Sequence, residues 1–340
     1  MDMCKIQPKS IVFVVLVSLM FLVIFEYGYN NVYAKSEEKA ETKKQSSTNS
    51  SLDNNYNKIA SDDPKIIKDI NFNAAGDWAC NEKSETVINN MRGTDPDLIL
   101  GLGDYGLTPS EYLCWSELIS PLYGKMKIAF GNHDFADSYI LKNLENQFGL
   151  KAQSYSFNFN HIHFISMSTE TDFEKDSNQY KFIELDLKQA SADPNIKWII
   201  VFMHKPIYNT APFGKGESKD LKKTYEELFT KYGVDLVLNG HVQYYQRSYP
   251  VLYNEENPKV PLVINNGSTF YNTNDGTVFV NAGTGGDKLH EDLKYPPFLA
   301  TQKPSYGFVN IELKNNGTTL AGKFISDKNE VIDRFIINSY

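Results

Sequence analysis

Cysteine is scarce in this sequence, with three in 340 residues, which excludes a small fold stapled by disulfides. Histidine is nearly as rare, at six, so a histidine-based site would have to draw several of them to one place. Positive charge is short as well. Against 42 Asp and Glu stand 34 Lys and Arg, and the net charge of −8 argues against a protein that binds nucleic acid by neutralising phosphates. No apolar run reaches the roughly 20 residues that a membrane-spanning helix needs. The longest, Ile11 to Phe25, follows Lys5 and Lys9 and suits the core of a signal peptide. Aromatic residues are plentiful at 13%, and a hydrophobic share of 41% provides for a packed core and excludes disorder throughout. The length allows one large or two ordinary domains.

A small-residue cleavage pattern, Val32-Tyr33-Ala34, closes the N-terminal segment, so residues 1–34 are read as a signal peptide cleaved after Ala34 or as an uncleaved N-terminal anchor. Either form implies an exported protein, extracellular or on the cell surface, with a membrane tether through residues 11–25 in the uncleaved case. Residues 35–65 are Lys, Glu, Ser, Thr and Asn with almost no large apolar side chain, a composition that cannot offset the entropy of ordering and reads as a disordered polar linker. Charges balance in both stretches, so the whole excess of acid falls after about residue 66. One domain over residues 66–340 is expected.

Within that region short apolar runs alternate with amphipathic stretches. The runs are Ile70–Ala74, Leu98–Leu102, Met126–Phe130, Ile162–Met167, Trp198–Met203 and Asp235–Leu238. Several are continuous rather than alternating, as strands covered on both faces are. Helix-like patterns occupy Asn81–Met91, Asp137–Phe148, Ser177–Ala190 and Lys219–Tyr232. This order argues for β-α-β units around a largely parallel sheet. After Gln246 the pattern turns to β segments, and Asn315-Asn316-Gly317 marks a hairpin between Val309–Leu313 and Thr319–Ile325.

Five of the apolar runs end in residues that can hold a metal: Gly76-Asp77, Gly103-Asp104, Gly131-Asn132-His133-Asp134, Met203-His204 and Gly240-His241. Any one alone is ordinary turn chemistry. Five together, at the carboxyl edge where open α/β sheets place their ligands, point to a metal site at one edge of one sheet. Mixed Asp, Asn and His donors suit Fe, Mn or Zn and fit calcium poorly.

These elements, in this order, resemble the calcineurin-like metallophosphoesterases. Gly76-Asp77-Trp78 and Gly240-His241-Val242, followed by Tyr245-Gln246-Arg247, are similar to the purple acid phosphatase branch. The resemblance covers roughly Asp69 to Gly286. It implies an α/β architecture in four layers, a central β-sandwich of mixed sheets flanked by helices. It also implies a two-metal centre in which Asp104 bridges both ions. One ion would take Asp104, Asn132, His204 and His241, all present. The other would take Asp77 and Asp104, then a Tyr three residues after the bridging Asp and a His two residues after the Gly-His pair. Leu107 and Gln243 stand at those last two positions, and the wider family's further option, a His two residues after the first Asp, meets Ala79. Leucine cannot coordinate, and an amide oxygen is a weaker donor than imidazole. Gln243 is thus a doubtful ligand, and one bound ion is expected, with two as the alternative. Tyr105, Tyr112, Tyr244 and Tyr245 lie nearby and are read as packing at the rim.

The family mechanism implies hydrolysis of small phosphate esters by a metal-activated hydroxide, with His133 donating to the leaving oxygen and Asp134 fixing its tautomer. Lys205 and Arg247 are candidate substrate contacts, with an ion pair closing the sheet edge as the other reading of Arg247. His161 and His163 are read as structural, and His290, after the glycine-rich turn, is left unassigned. Cys80 and Cys114 each follow a ligand-bearing loop and form either a disulfide or two buried thiols. Two functions compete: an exported metal-dependent phosphoesterase of reduced activity, and a noncatalytic extracytoplasmic binding protein that keeps the fold and one metal.

Overall fold

A computed structural model describes residues 67–208, 219–267, 269–290 and 294–339, which belong to one compact unit, Pro64–Tyr340. The apolar segment at 11–25, the cleavage pattern at 32–34 and the polar linker lie outside the described residues. In chain order, β1 (Ile70–Ala75), α1 (Glu82–Gly93), β2 (Leu98–Gly101), α2 (Pro109–Ile119) and β3 (Met126–Ile128) come first. Then follow α3 (Asn132–Ala136), α4 (Ser138–Phe148), β4 (Tyr155–Phe159), β5 (Ile162–Met167), α5 (Asn178–Ala192), β6 (Trp198–Met203), α6 (Lys219–Tyr232) and β7 (Leu236–Asn239). The remainder is β: β8 (Tyr245–Ser248), β9 (Val251–Leu252), β10 (Leu262–Val263), β11 (Phe270–Asn272) and β12 (Val278–Ala282). It closes with β13 (Leu299–Lys303), β14 (Gly307–Lys314), β15 (Thr319–Ser326) and β16 (Val331–Asn338).

Local chemistry sets many of these boundaries. The Asn81 side chain accepts the amides of Lys83 and Ser84 to start α1, Asp137 does the same for α4, and Ser177 caps α5. Gly149, left-handed at φ 64°, ends α4. The hairpin marked by Asn315-Asn316-Gly317 forms, with all three residues at positive φ.

The strands divide between two seven-stranded sheets, ordered β11-β16-β15-β14-β1-β2-β3 and β13-β8-β12-β7-β6-β5-β4. Parallel pairing is confined to β1–β2–β3 and β11–β16 in the first and to β5–β6–β7–β12 in the second. Both sheets are therefore mixed, which corrects the expectation of a single largely parallel sheet and matches the sandwich that the resemblance implies. Trp198-Ile-Ile-Val-Phe-Met203 shows why the runs are continuous. Trp198, Ile200 and Phe202 pack between the sheets with Phe72, Phe164 and Leu238, while Ile199, Val201 and Met203 pack outward with Leu187 of α5 and Phe229 of α6. On the far side, α1, α2 and α4 cover the first sheet through Met91, Trp115 and Leu144. The layers run helix, sheet, sheet, helix.

One charged pair crosses between the sheets. Arg247 on β8, 1% exposed, donates through Nε (2.6 Å) and Nη2 (3.0 Å) to the two carboxylate oxygens of Asp333 on β16. Its Nη1 donates to the Tyr271 hydroxyl at 2.6 Å, and Tyr245 donates to Asp333 at 2.7 Å. Removing one partner strands the other charge in the core. Arg247→Met is therefore expected to cost about 3–5 kcal/mol in urea unfolding while leaving metal content unchanged, and a loss below about 1 kcal/mol would show that the pair does not hold the sheets.

Candidate metal centre

The metal-competent strand ends meet where the two sheets abut, not along one edge of one sheet. Asp77, Asp104 and Asn132 follow β1, β2 and β3 of the first sheet; His204 and His241 follow β6 and β7 of the second. Asp77, Asp104 and His241 sit at φ 59°, 53° and 69°, a region that non-glycine residues occupy at a cost and that clusters at functional sites. Two backbone bonds hold the twin Gly-Asp turns in register: Asp77 N–H to the Gly103 carbonyl (3.0 Å) and Trp78 N–H to the Asp104 carbonyl (2.9 Å). The preceding glycines make room for the side chains. A Cβ at Gly131 would lie 2.1 Å from Asp104 Oδ1, and one at Gly240 would lie 2.6 Å from Asp77 Oδ2.

His204, fully buried, is the hub. Its Nδ1 donates to the Leu102 carbonyl at 2.8 Å, which fixes the tautomer and leaves the Nε2 lone pair facing inward. Around Nε2 lie Asn132 Oδ1 at 3.1 Å, His241 Nδ1 at 3.2 Å and Asp104 Oδ2 at 3.3 Å. The donor atoms of Asp104, His204 and His241 all fall within 4.8 Å of one another. A carboxylate, an amide oxygen and two imidazole nitrogens thus converge with lone pairs inward, an arrangement that requires a cation or a proton at its centre. The electrostatics agree. Burial opposes charge on His204, but the Asp104 carboxylate and its hydrogen bond outweigh it and push the ring up to about 10. Burial and the charge of His204 push His241 down to about 3. In Asp77 burial dominates and, with the negative charges of Asp104 and Asp287 adding to it against His204, raises the carboxyl to about 8. A proton on His204 holds the position a divalent ion would take, and the donor set fits Fe, Mn or Zn.

Asp77 is placed differently. Its Oδ2 accepts the His241 amide at 2.7 Å, and its Oδ1 accepts the Gln243 side-chain Nε2 at 3.2 Å. Gln243 thus presents its amide nitrogen to Asp77. Leu107, 41% exposed, lines an open cavity of about 480 Å³ with His133, Gln243, Asp287, Lys288, Leu289 and His290.

Three expectations are corrected. Asp134 does not orient the ring of His133: its Oδ2 accepts the amides of Asp104 and Gly131 (2.8 Å each) and its Oδ1 that of Tyr105 (2.9 Å). It is a buried clamp that shapes the turn presenting Asp104. Of the two readings of Arg247, the structure holds the ion pair: its guanidinium meets Asp333 between the sheets. Lys205 is tied to Glu170 at 2.8 Å, and its charge reaches the centre only by opposing protonation of His241. His133 is exposed at the cavity, and its backbone amide donates to Asp104 Oδ1 at 2.9 Å. Tyr105 bonds the Ala129 carbonyl, Tyr112 bonds Gln147, and Tyr244 and Tyr245 are buried, Tyr245 stacked on Phe324. His163 is held by Asn158 and Asp186, and His161 by the Asn195 carbonyl. Cys80 and Cys114 form a disulfide that ties the segment after Asp77 to α2. The loop Asp287–His290 escaped the sequence reading because its residues follow no familiar spacing. The only signal was the glycine-rich turn preceding it.

A family model for the calcineurin-like phosphoesterases matches residues 70–245, more than half of the chain, and the chain belongs to that family. Within it, the relatives place the chain in the purple acid phosphatase-like branch. It is 26% identical over 216 residues to purple acid phosphatase 22 of Arabidopsis thaliana, covering 58% of this chain and 50% of that protein. To Fe(3+)-Zn(2+) purple acid phosphatase 12 of the same plant it is 30% identical over 141 residues, 40% of this chain and 29% of the other. The solved structure of purple acid phosphatase PPD1 from yellow lupin (Lupinus luteus) seeds shares the fold, with TM-score 0.66 and 22% identity over 80% of this chain and 54% of that one. The chain spans about half the length of the curated relatives it matches.

Two outcomes follow from this geometry. Because the Asp104 carboxylate holds His204 above an ordinary imidazole, a metal competes with a proton for that ring and binding strengthens as pH rises. Chelator-buffered titrations between pH 6 and 8 should show affinity changing by about tenfold per pH unit for one displaced proton, and a pH-independent affinity would contradict the assignment of His204. Asp134→Ala strands three backbone amides, each costing about 1–3 kcal/mol if buried and unsatisfied. It should lower both the thermal midpoint and the metal content, whereas unchanged metal uptake would dissociate the clamp from the site.

Proposed function

We propose that this chain is an exported, metal-dependent phosphoesterase that hydrolyses small phosphate esters. The observation that carries the reading is the convergence of Asp104 Oδ2, Asn132 Oδ1 and His241 Nδ1 on the inward-facing Nε2 of His204. When bound there, a transition metal supplies a Lewis acid for phosphate oxygens and lowers the pKa of a coordinated water. Asp104, Asn132, His204 and His241 would hold the ion, and the Leu102 carbonyl keeps His204 in its metal-binding tautomer. His133, at the mouth of the cavity, donates a hydrogen bond or proton to the oxygen of the leaving group. Its backbone amide on Asp104 ties the His133 backbone to the centre. Lys288 adds positive charge at the cavity wall, where an anionic ester is drawn in.

Export is supported by the N-terminal sequence and by the Cys80–Cys114 disulfide, a bond that oxidising compartments favour. The second reading, a noncatalytic extracytoplasmic binding protein, is favoured by one observation: Gln243 caps an oxygen of Asp77 with its amide nitrogen where the family implies an imidazole ligand. Hydrolysis of an aryl phosphate with Mn, Fe or Zn added to the purified chain separates the two. Turnover well above a His204→Ala control is expected, and its absence leaves only the binding protein. In the active enzyme His133→Ala should lower kcat by about 10²–10⁴-fold for esters with poor leaving groups and less for aryl esters.

A further inference from the structure

β6 and β7 carry the metal-competent histidines after their carboxyl ends. At their opposite ends a second cavity, of about 400 Å³, opens between the starts of these strands and the ends of the helices that precede them. Asp235, the residue before β7, lines it and is 6% exposed. Its backbone amide donates to the Ile199 carbonyl at 3.0 Å, and its Oδ2 accepts the Ile199 amide at 2.8 Å. Burial opposes the charge of this carboxyl, and the Ile199 amide is the only group among the described residues that favours it, so the carboxyl is pushed up to about 7. Lys197, on the exposed rim of the cavity, does not enter that balance.

Two helix ends add to the negative field. Ser191 in the last turn of α5 and Tyr232 at the end of α6 line the same cavity. These helices, of 15 and 14 residues, each carry partial negative charge at that end. A buried carboxylate without a counter-charge is neutralised by a proton or by a cation from outside. The chemistry narrows the cation. One carboxylate is too few for a divalent ion, and the only cluster of metal-competent side chains among the described residues is the one built on His204. An ammonium group, with three N–H donors, asks for acceptors instead. Ser191 and Ser339 line the cavity and give their hydroxyl protons to the carbonyls of Lys188 and Thr318, so their oxygens are left to accept. Half-buried Ile196 and Tyr232 supply apolar surface for a carbon chain.

We propose that this cavity binds a small organic cation, a primary alkylammonium, with Asp235 as its counter-ion and the hydroxyls of Ser191 and Ser339 as further acceptors. The site stands at the other end of β6 and β7 from the metal centre and does not depend on phosphoesterase activity. In the test, n-butylammonium is titrated into the purified chain by isothermal titration calorimetry, with 1-butanol as the uncharged probe of the same length. The cation should bind with a Kd of about 1 mM or tighter, and 1-butanol at least about tenfold more weakly. Asp235→Asn, whose amide oxygen still accepts the Ile199 N–H, should weaken the cation by about tenfold or more. Ser191→Trp, which fills the cavity from the exposed end of α5, should do the same with Asp235 intact. Lys197→Ala removes a like charge and should bind at least as tightly as the wild type. Thermal melts check that the variants fold, and should Asp235→Asn fail to fold, Ser191→Trp decides. No heat of binding up to about 10 mM, equal affinity for 1-butanol, wild-type affinity in Asp235→Asn or Ser191→Trp, or weaker binding in Lys197→Ala overturns the proposal.

Discussion

Lone pairs facing one another in a buried corner need a positive charge between them, and the rest of this protein is arranged around that requirement. His204 Nε2 lies 3.1–3.3 Å from Asp104 Oδ2, Asn132 Oδ1 and His241 Nδ1, too close for four lone pairs without a proton or a cation among them. Without metal the charge is a proton, which is why His204 is held far above an ordinary imidazole while His241 is held far below. The Leu102 carbonyl makes this outcome a feature of the fold, since it occupies Nδ1 and forces the other nitrogen inward.

Strain and close packing keep the corner in shape. Asp77, Asp104 and His241 adopt left-handed backbones, and the bare Cα atoms of Gly131 and Gly240 admit the carboxylates. Asp134 gathers three amides beneath the Asp104 turn, and the Cys80–Cys114 bridge ties down the segment that leaves Asp77. These supports are satisfied internally, so the centre is organised before any ion arrives, and ordering it adds little to the cost of binding. The Asp77 side differs: its carboxylate is engaged by Gln243, and Leu107 lies open at the cavity.

Several features could be read along the chain because they depend on neighbours in sequence. Asn81, Asp137 and Ser177 cap the helices they precede, the Asn-Asn-Gly turn forms the hairpin, and the continuous run of β6 announces a strand covered on both faces. Where the reading failed, the deciding contact was remote. Nothing in Gly131-Asn132-His133-Asp134 reveals that Asp134 turns toward the amides of Asp104 and Tyr105, about 30 positions upstream. Arg247 resembled a phosphate contact by its place near His241, but its guanidinium meets Asp333 from the opposite sheet.

The sequence by itself determined the chemistry that is available: which strand ends carry Asp, Asn and His, which glycines precede them, and which two positions of the family pattern hold Leu107 and Gln243. Alternating polarity says only whether a strand is covered on one face or two, because the side-chain period is the same in every sheet. Tertiary structure alone decided that those strands belong to two mixed sheets, that Asp134 holds three backbone amides, Lys205 pairs with Glu170 and Arg247 pairs with Asp333, and that the Asp287–His290 loop returns to the Asp77 turn. The physical reason is that these outcomes rest on contacts between residues more than 200 positions apart, such as Ile70 with Leu313 and Asp77 with Asp287.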